Sequence, residues 1–115
     1  MKDELIQILE SFGYDVSLQG SYAENQKYPS SFFTFWNGST EDSSHFNNKA
    51  AATVWEFDVN FYSVDPVLVE EMILRVKQAL IDAGWIVNGK GYDLPVDEPT
   101  HTGRGILAVF RENEH

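Results

Sequence analysis

Glu56, Asp58 and Asn60 alternate along one short stretch of this 115-residue chain. At every-second spacing they share one face of a strand, where three oxygen-bearing side chains could hold a hard cation or exchange protons. A second group, Asp93, Asp97, Glu98 and His101 beside Arg104, crowds a polar stretch and offers carboxylates and an imidazole for metal ligation or proton transfer. Neither group has the spacing of a ligand motif. A solvated strand face alternates in the same way, a polar subunit contact fits it equally, and turns are rich in Asp in any case. Residues 84–90, GWIVNGK, fit G-x-x-x-x-G-K, but Gly91 follows where a phosphate-binding loop needs Ser or Thr. Apolar, strand-like residues fill that loop, so it reads as a helix stop leading into a hairpin. No serine lies in a G-x-S-x-G elbow, His45 stands alone, and His115 is terminal and compatible with a purification tag. No catalytic, cofactor-binding or metal-ligating set is expected, and the chain is not read as an enzyme.

The elements that would position these side chains centre on residues 53–84. Thr53, Trp55, Phe57, Val59 and Phe61 alternate with Val54, Glu56, Asp58 and Asn60, as in a strand with one face on a core. Asp65-Pro66 then opens a helix, with Asp as N-cap and Pro where no backbone donor is needed. Val69, Met72, Ile73, Val76, Leu80 and Ala83 form its apolar face, and Gly84 ends it. Leu5, Ile8, Leu9 and Phe12 predict an earlier helix over residues 3–12, with Asp3 as N-cap and Gly13 as stop. Tyr14, Val16 and Leu18 suggest a short strand.

Residues 32–36, FFTFW, are apolar on both faces, which suits a strand that is central or covered by another subunit. The polar stretch 37–51 predicts a long hairpin loop with a projecting tip, a type of segment that is usually functional. Residues 92–105 read as irregular, and 106–110 as a last strand. Strands grouped in hairpins with helices between them indicate a single α+β domain. We expect an antiparallel or mixed sheet of about four to five strands, with two main helices on one face.

Bulk properties narrow the function. Eight Lys and Arg against 18 Asp and Glu give a formal charge of −10, which disfavours tight nucleic-acid binding through a basic patch. Cysteine is absent, removing disulfides and thiolate chemistry. The acidic, helical start is unlike a signal peptide, and no apolar run reaches the roughly 18–20 residues of a membrane span, so a soluble intracellular protein is expected.

The order of elements, the passage TVWEFDVNFYSVD into LVEEMILRVKQAL, and the loop DEPTHTGRG before the last strand resemble the small tail-completion proteins of long-tailed bacteriophages and prophages. These are tail terminators, head–tail joining proteins and minor tail proteins. The resemblance covers residues 2–111 and implies a structural subunit without catalytic residues. It implies assembly with itself as a ring, typically a hexamer, that caps the tail tube and docks the head–tail connector. The subunit would act in the host cytoplasm during assembly and then in the virion tail. DNA would pass the acidic bore without adhering. Subunit or partner contacts are expected from Phe33, Phe35, Trp36, Asn37, Thr40, Glu41, Asp42, His45, Phe46, Glu56, Asp58 and Asn60. The alternatives are a bacterial protein-binding or regulatory module and, further off, a small metal-dependent enzyme.

Overall fold

The computed structural model describes residues 2–19, 28–46, 49–96 and 99–113, and gives the backbone alone for 39–46, 49–52 and 113. Asp97, Glu98 and His115 therefore lie outside the described residues. Two helices pack on one face of a mixed six-stranded sheet. The elements run α1 (Lys2–Glu10), β1 (Asp15–Leu18), β2 (Ser31–Phe46), β3 (Lys49–Ser63), α2 (Pro66–Asp82), β4 (Ile86–Val87), β5 (Tyr92–Leu94) and β6 (Thr102–Asn113). The sheet order is β1-β2-β3-β6-β4, with β5 also paired to β6. Among the described residues only β1 and β2 run parallel; the other pairs are antiparallel.

The expected alternation on β3 is found. Phe57, Val59 and Phe61 are fully buried beneath α2, whose Val69, Met72, Ile73, Val76 and Leu80 form the opposing face. Phe33 and Phe35 of β2 join the same core, with the Phe33 and Phe61 rings 4.7 Å apart. Leu5 and Leu9 of α1 join it, and Trp85 packs between Phe57 and Phe110 while its indole N–H donates to Glu4 of α1 at 3.4 Å. Burial of this aromatic and aliphatic face, at about 25 cal/mol per Å² of apolar surface, is what drives the two layers together.

Helix α2 begins as its sequence indicates: the Asp65 carboxylate accepts from the Val67 amide at 3.0 Å and Pro66 takes the first turn. Gly84, at φ +94°, lets the chain leave the helix and enter β4. Helix α1 starts one residue before Asp3, which sits in its first turn and not at the cap, where its negative charge still favours the helix N-terminus.

Three segments differ from expectation. The hairpin between β2 and β3 is present, but residues 37–46 and 49–52 form ladder and not loop, with Phe46 opposite Lys49. Their polar side chains hid a strand whose backbone hydrogen bonds do not depend on an apolar face. Register shifts at Asn37/Ser39, Asp42/Ser44 and Ser44/His45 mark bulges, which twist and bend this arm. Within residues 92–105, Tyr92–Leu94 form β5, and Thr102–Gly105 begin β6. The 16 residues of β2, at about 3.3 Å each, span roughly 50 Å. That is close to the long dimension of the molecule, which measures 53 × 28 × 22 Å.

Candidate functional site

The helices cover one face of the sheet, and the opposite face carries the alternation of β3 that first suggested chemistry. On that outer face Tyr62 lies opposite Phe32 and Gly103, Asn60 opposite Thr34 and Gly105, and Asp58 opposite Trp36 and Leu107. Strand β5 adds Tyr92 beside Gly105 and Leu94 beside Gly103. Together they enclose a shallow depression of about 310 Å³ lined by Gln19, Asp58, Asn60, Tyr62, Tyr92, Leu94 and Pro95.

Two glycines make this depression possible. A Cβ on Gly105 would stand 2.5 Å from the Asn60 Oδ1 and 2.9 Å from the Tyr92 ring; one on Gly103 would stand 2.6 Å from the Tyr62 ring. Two aromatic rings and a carboxamide thus occupy the space that side chains would take on β6. Such cross-strand covering of glycine by aromatic rings also fixes register.

Asn60 is the polar centre. It is only 3% exposed, and its Nδ2 donates to Gln19 Oε1 and Thr34 Oγ1, both at 3.3 Å. Its Oδ1 is buried and accepts no hydrogen bond. An acceptor left in this condition costs about 1–3 kcal/mol, so a donor arriving there would recover free energy. Asp58, half-buried, accepts from the Tyr92 hydroxyl at 3.2 Å. Burial first, and then the adjacent Asp58 charge and that hydrogen bond, push the Tyr92 hydroxyl up to about 12. Burial likewise raises Tyr62, against a hydrogen bond with Thr34 that works the other way. The face is therefore acceptor-rich, negatively charged and walled by neutral phenols. That combination suits a cation or a hydrogen-bond donor.

The second sequence group is held differently. Arg104 donates to Asp93 at 2.8 Å and to the carbonyls of Lys90 and Gly91 at 3.1–3.3 Å, pinning the β4–β5 turn to β6. His101 uses both ring nitrogens, one with Thr100 Oγ1 at 2.9 Å and one with the Pro29 carbonyl at 2.8 Å. Its ring also meets Tyr28 and Phe32 edge-on, closing the outer face at that end. A groove of about 370 Å³ runs from Pro66 and Glu70 past Asp93 to His101 and Arg104, but both basic side chains are already engaged. Among the described residues no group of three or more His, Asp or Glu could hold a metal. Residues 84–91 end a helix and make a turn, with Lys77 Nζ donating to the Gly89 carbonyl.

Of the expected contact residues, Phe33 and Phe35 belong to the core, because their parity on β2 points them at the helices. Trp36 is half exposed on the outer face, opposite Asp58. Asn37 is exposed at the first bulge, and Thr40, Glu41, Asp42, His45 and Phe46 lie along the backbone of the arm, their side chains outside the described residues. Glu56, Asp58 and Asn60 share the outer face as expected, but Asn60 is buried there. Sequence reasoning missed Gln19, Tyr92 and the two glycines. The signal was Gly-Arg-Gly at strand spacing, which was read as loop.

No protein-family model matches the chain, and no curated relative matches it, so the function rests on this geometry.

Proposed function

We propose that the chain is a structural assembly protein of a phage or prophage tail, of the tail-terminator or head–tail joining kind, forming a ring at the end of the tail tube. The observation that carries this reading is the β2–β3 arm. A hairpin of two strands, 16 and 15 residues long, extends a two-layer body whose other sheet face is covered by no helix among the described residues. Long laddered arms and uncovered sheet faces are costly in an isolated subunit, because exposed strands template association. Trp36, Leu107 and Ile86 are each more than 40% exposed, which adds apolar surface to that face. The charge of −10 suits a ring through which DNA passes without sticking.

Sedimentation velocity and negative-stain imaging, with and without purified tail-tube protein, test the reading. Closed rings are expected at high concentration or on addition of tube protein. Replacing residues 43–52 by a two-residue turn, which keeps Asp42 opposite Thr53, should leave a folded monomer that no longer closes. A monomer at all concentrations, with no ring in the presence of tube protein, refutes the proposal. The same uncovered face also supports a second reading, a bacterial protein-binding module. Stoichiometric capture of one host protein, without any tail association, would favour it.

A further inference from the structure

We propose that the depression over Gly103 and Gly105 is a socket for the guanidinium group of an arginine side chain presented by an assembly partner. The proposal rests on the assembly reading for the source of the arginine, but not for the chemistry of the socket. Three observations converge on it. The floor holds a 97%-buried carboxamide whose Oδ1 has no donor, and Asn60 is held there through its other atom by Gln19 and Thr34. Beside it stands Asp58, whose carboxylate receives a hydrogen bond from Tyr92 and pairs with no cation among the described residues. The walls are the rings of Tyr62 and Tyr92, the latter 43% exposed on a strand of three residues.

A ligand that satisfies all three must be cationic, must present several donors in a fixed fork, and must be flat enough to lie on a phenol ring. Guanidinium meets these demands together, and ammonium meets only the first. An arginine entering from the open side would pair with Asp58, supply a donor to the Asn60 carbonyl and stack against Tyr92. Tyr92 is the wall that must turn aside, because its ring shares the space over Gly105 with the Asn60 Oδ1 and is exposed on its other side. The inner face offers no such place, being closed by the two helices.

The test is a titration of the full-length protein with N-acetyl-arginine amide, followed by two-dimensional amide NMR. The neutral citrulline counterpart and the lysine counterpart serve as comparison ligands. Saturable shifts are expected at the side-chain amides of Asn60 and Gln19 and the backbone amides of Gly103 and Gly105. The affinity should be millimolar, as befits one small ligand. Citrulline should bind at least about tenfold more weakly, and Asp58→Asn should weaken arginine by about tenfold while leaving the folded spectrum intact. Tyr92→Leu, which removes the ring and keeps Asp58, should also weaken it. Equal binding of citrulline or lysine overturns the assignment. So does an arginine response spread over many amides and unchanged in Asp58→Asn, which would be general attraction to an acidic protein. Sedimentation with and without tail-tube protein separates the two proposals: a chain that binds arginine as described yet stays monomeric at all concentrations and with tube protein present refutes ring assembly, and rings that assemble without any such binding refute the socket.

Discussion

Replacing Gly91 by alanine gives a sharp test of how the β4–β5 turn packs against β6 and α2, because Gly89 nearby provides an internal control. Both glycines have positive φ, +93° and +78°, so an alanine at either site suffers the same left-handed backbone penalty. Both gain the same stabilisation from a stiffer unfolded chain, and the two effects net to about 0.5–1 kcal/mol of destabilisation. They differ in what the new methyl group meets. At Gly89 nothing lies within 4 Å. At Gly91 the Cβ would stand 2.8 Å from the Gly105 carbonyl oxygen and 3.2 Å from methyl groups of both Ile73 and Ile106. A sheet carbonyl cannot retreat without disturbing the β5–β6 ladder, so overpacking adds about 2 kcal/mol. For 115 residues each kcal/mol lowers Tm by about 4 °C, so Gly89→Ala should lose about 3 °C and Gly91→Ala about 11 °C. Thermal and urea unfolding followed by tryptophan fluorescence read both. Equal losses in the two variants would refute the close approach of the turn to β6.

Three further variants probe the core, the α2 cap and the outer face. Phe61→Ala removes a fully buried ring packed against Phe33 and Tyr14 and should cost about 3–5 kcal/mol in urea denaturation. Asp65→Ala should cost about 1 kcal/mol by losing the N-cap bond to Val67, whereas Asp65→Asn should keep most of it. Tyr92 holds its proton more tightly when folded, at about 12 against 10.0 unfolded. The folded state therefore carries the excess proton in that interval, and its stability falls as pH rises from about 10 toward 12. Tyr92→Phe should flatten that alkaline limb in a series of denaturation midpoints; an unchanged slope would show that Tyr92 does not titrate as described.

How much of the molecule could be read in advance depends on which side chains report on an element. The β3–α2 unit was legible because Phe57, Val59, Phe61 and the α2 stripe repeat with the periods of strand and helix, and Asp65-Pro66 marks the boundary. The distal arm was not, because Asn37 to Phe46 are held by cross-strand backbone bonds whose requirement is not written in hydropathy. Gly103 and Gly105 misled for a related reason. Glycine usually signals a turn, yet here it is strand that must stay bare so that Tyr62, Tyr92 and Asn60 can lie across it. The Glu56–Asp58–Asn60 row was correctly placed on one face. Its character depended on partners from β1 and β5, Gln19 and Tyr92, which no local pattern joins to it.

The ladder of β3 is continuous over 15 residues, but the forces that clamp it are not. Near Phe57–Phe61 each amide lies under α2 and between two neighbouring strands, and opening it requires breaching the core. Toward Val54 and Trp55 the side chains are only half-buried, while the pairing with β6 stays in register and that with β2 continues across bulges. Hydrogen exchange should therefore divide one strand into two kinetic populations: a proximal part that exchanges only on global unfolding, and a distal part that opens locally at lower free energy. The arm can be remodelled, or docked and released, without drawing on the stability of the body that carries it.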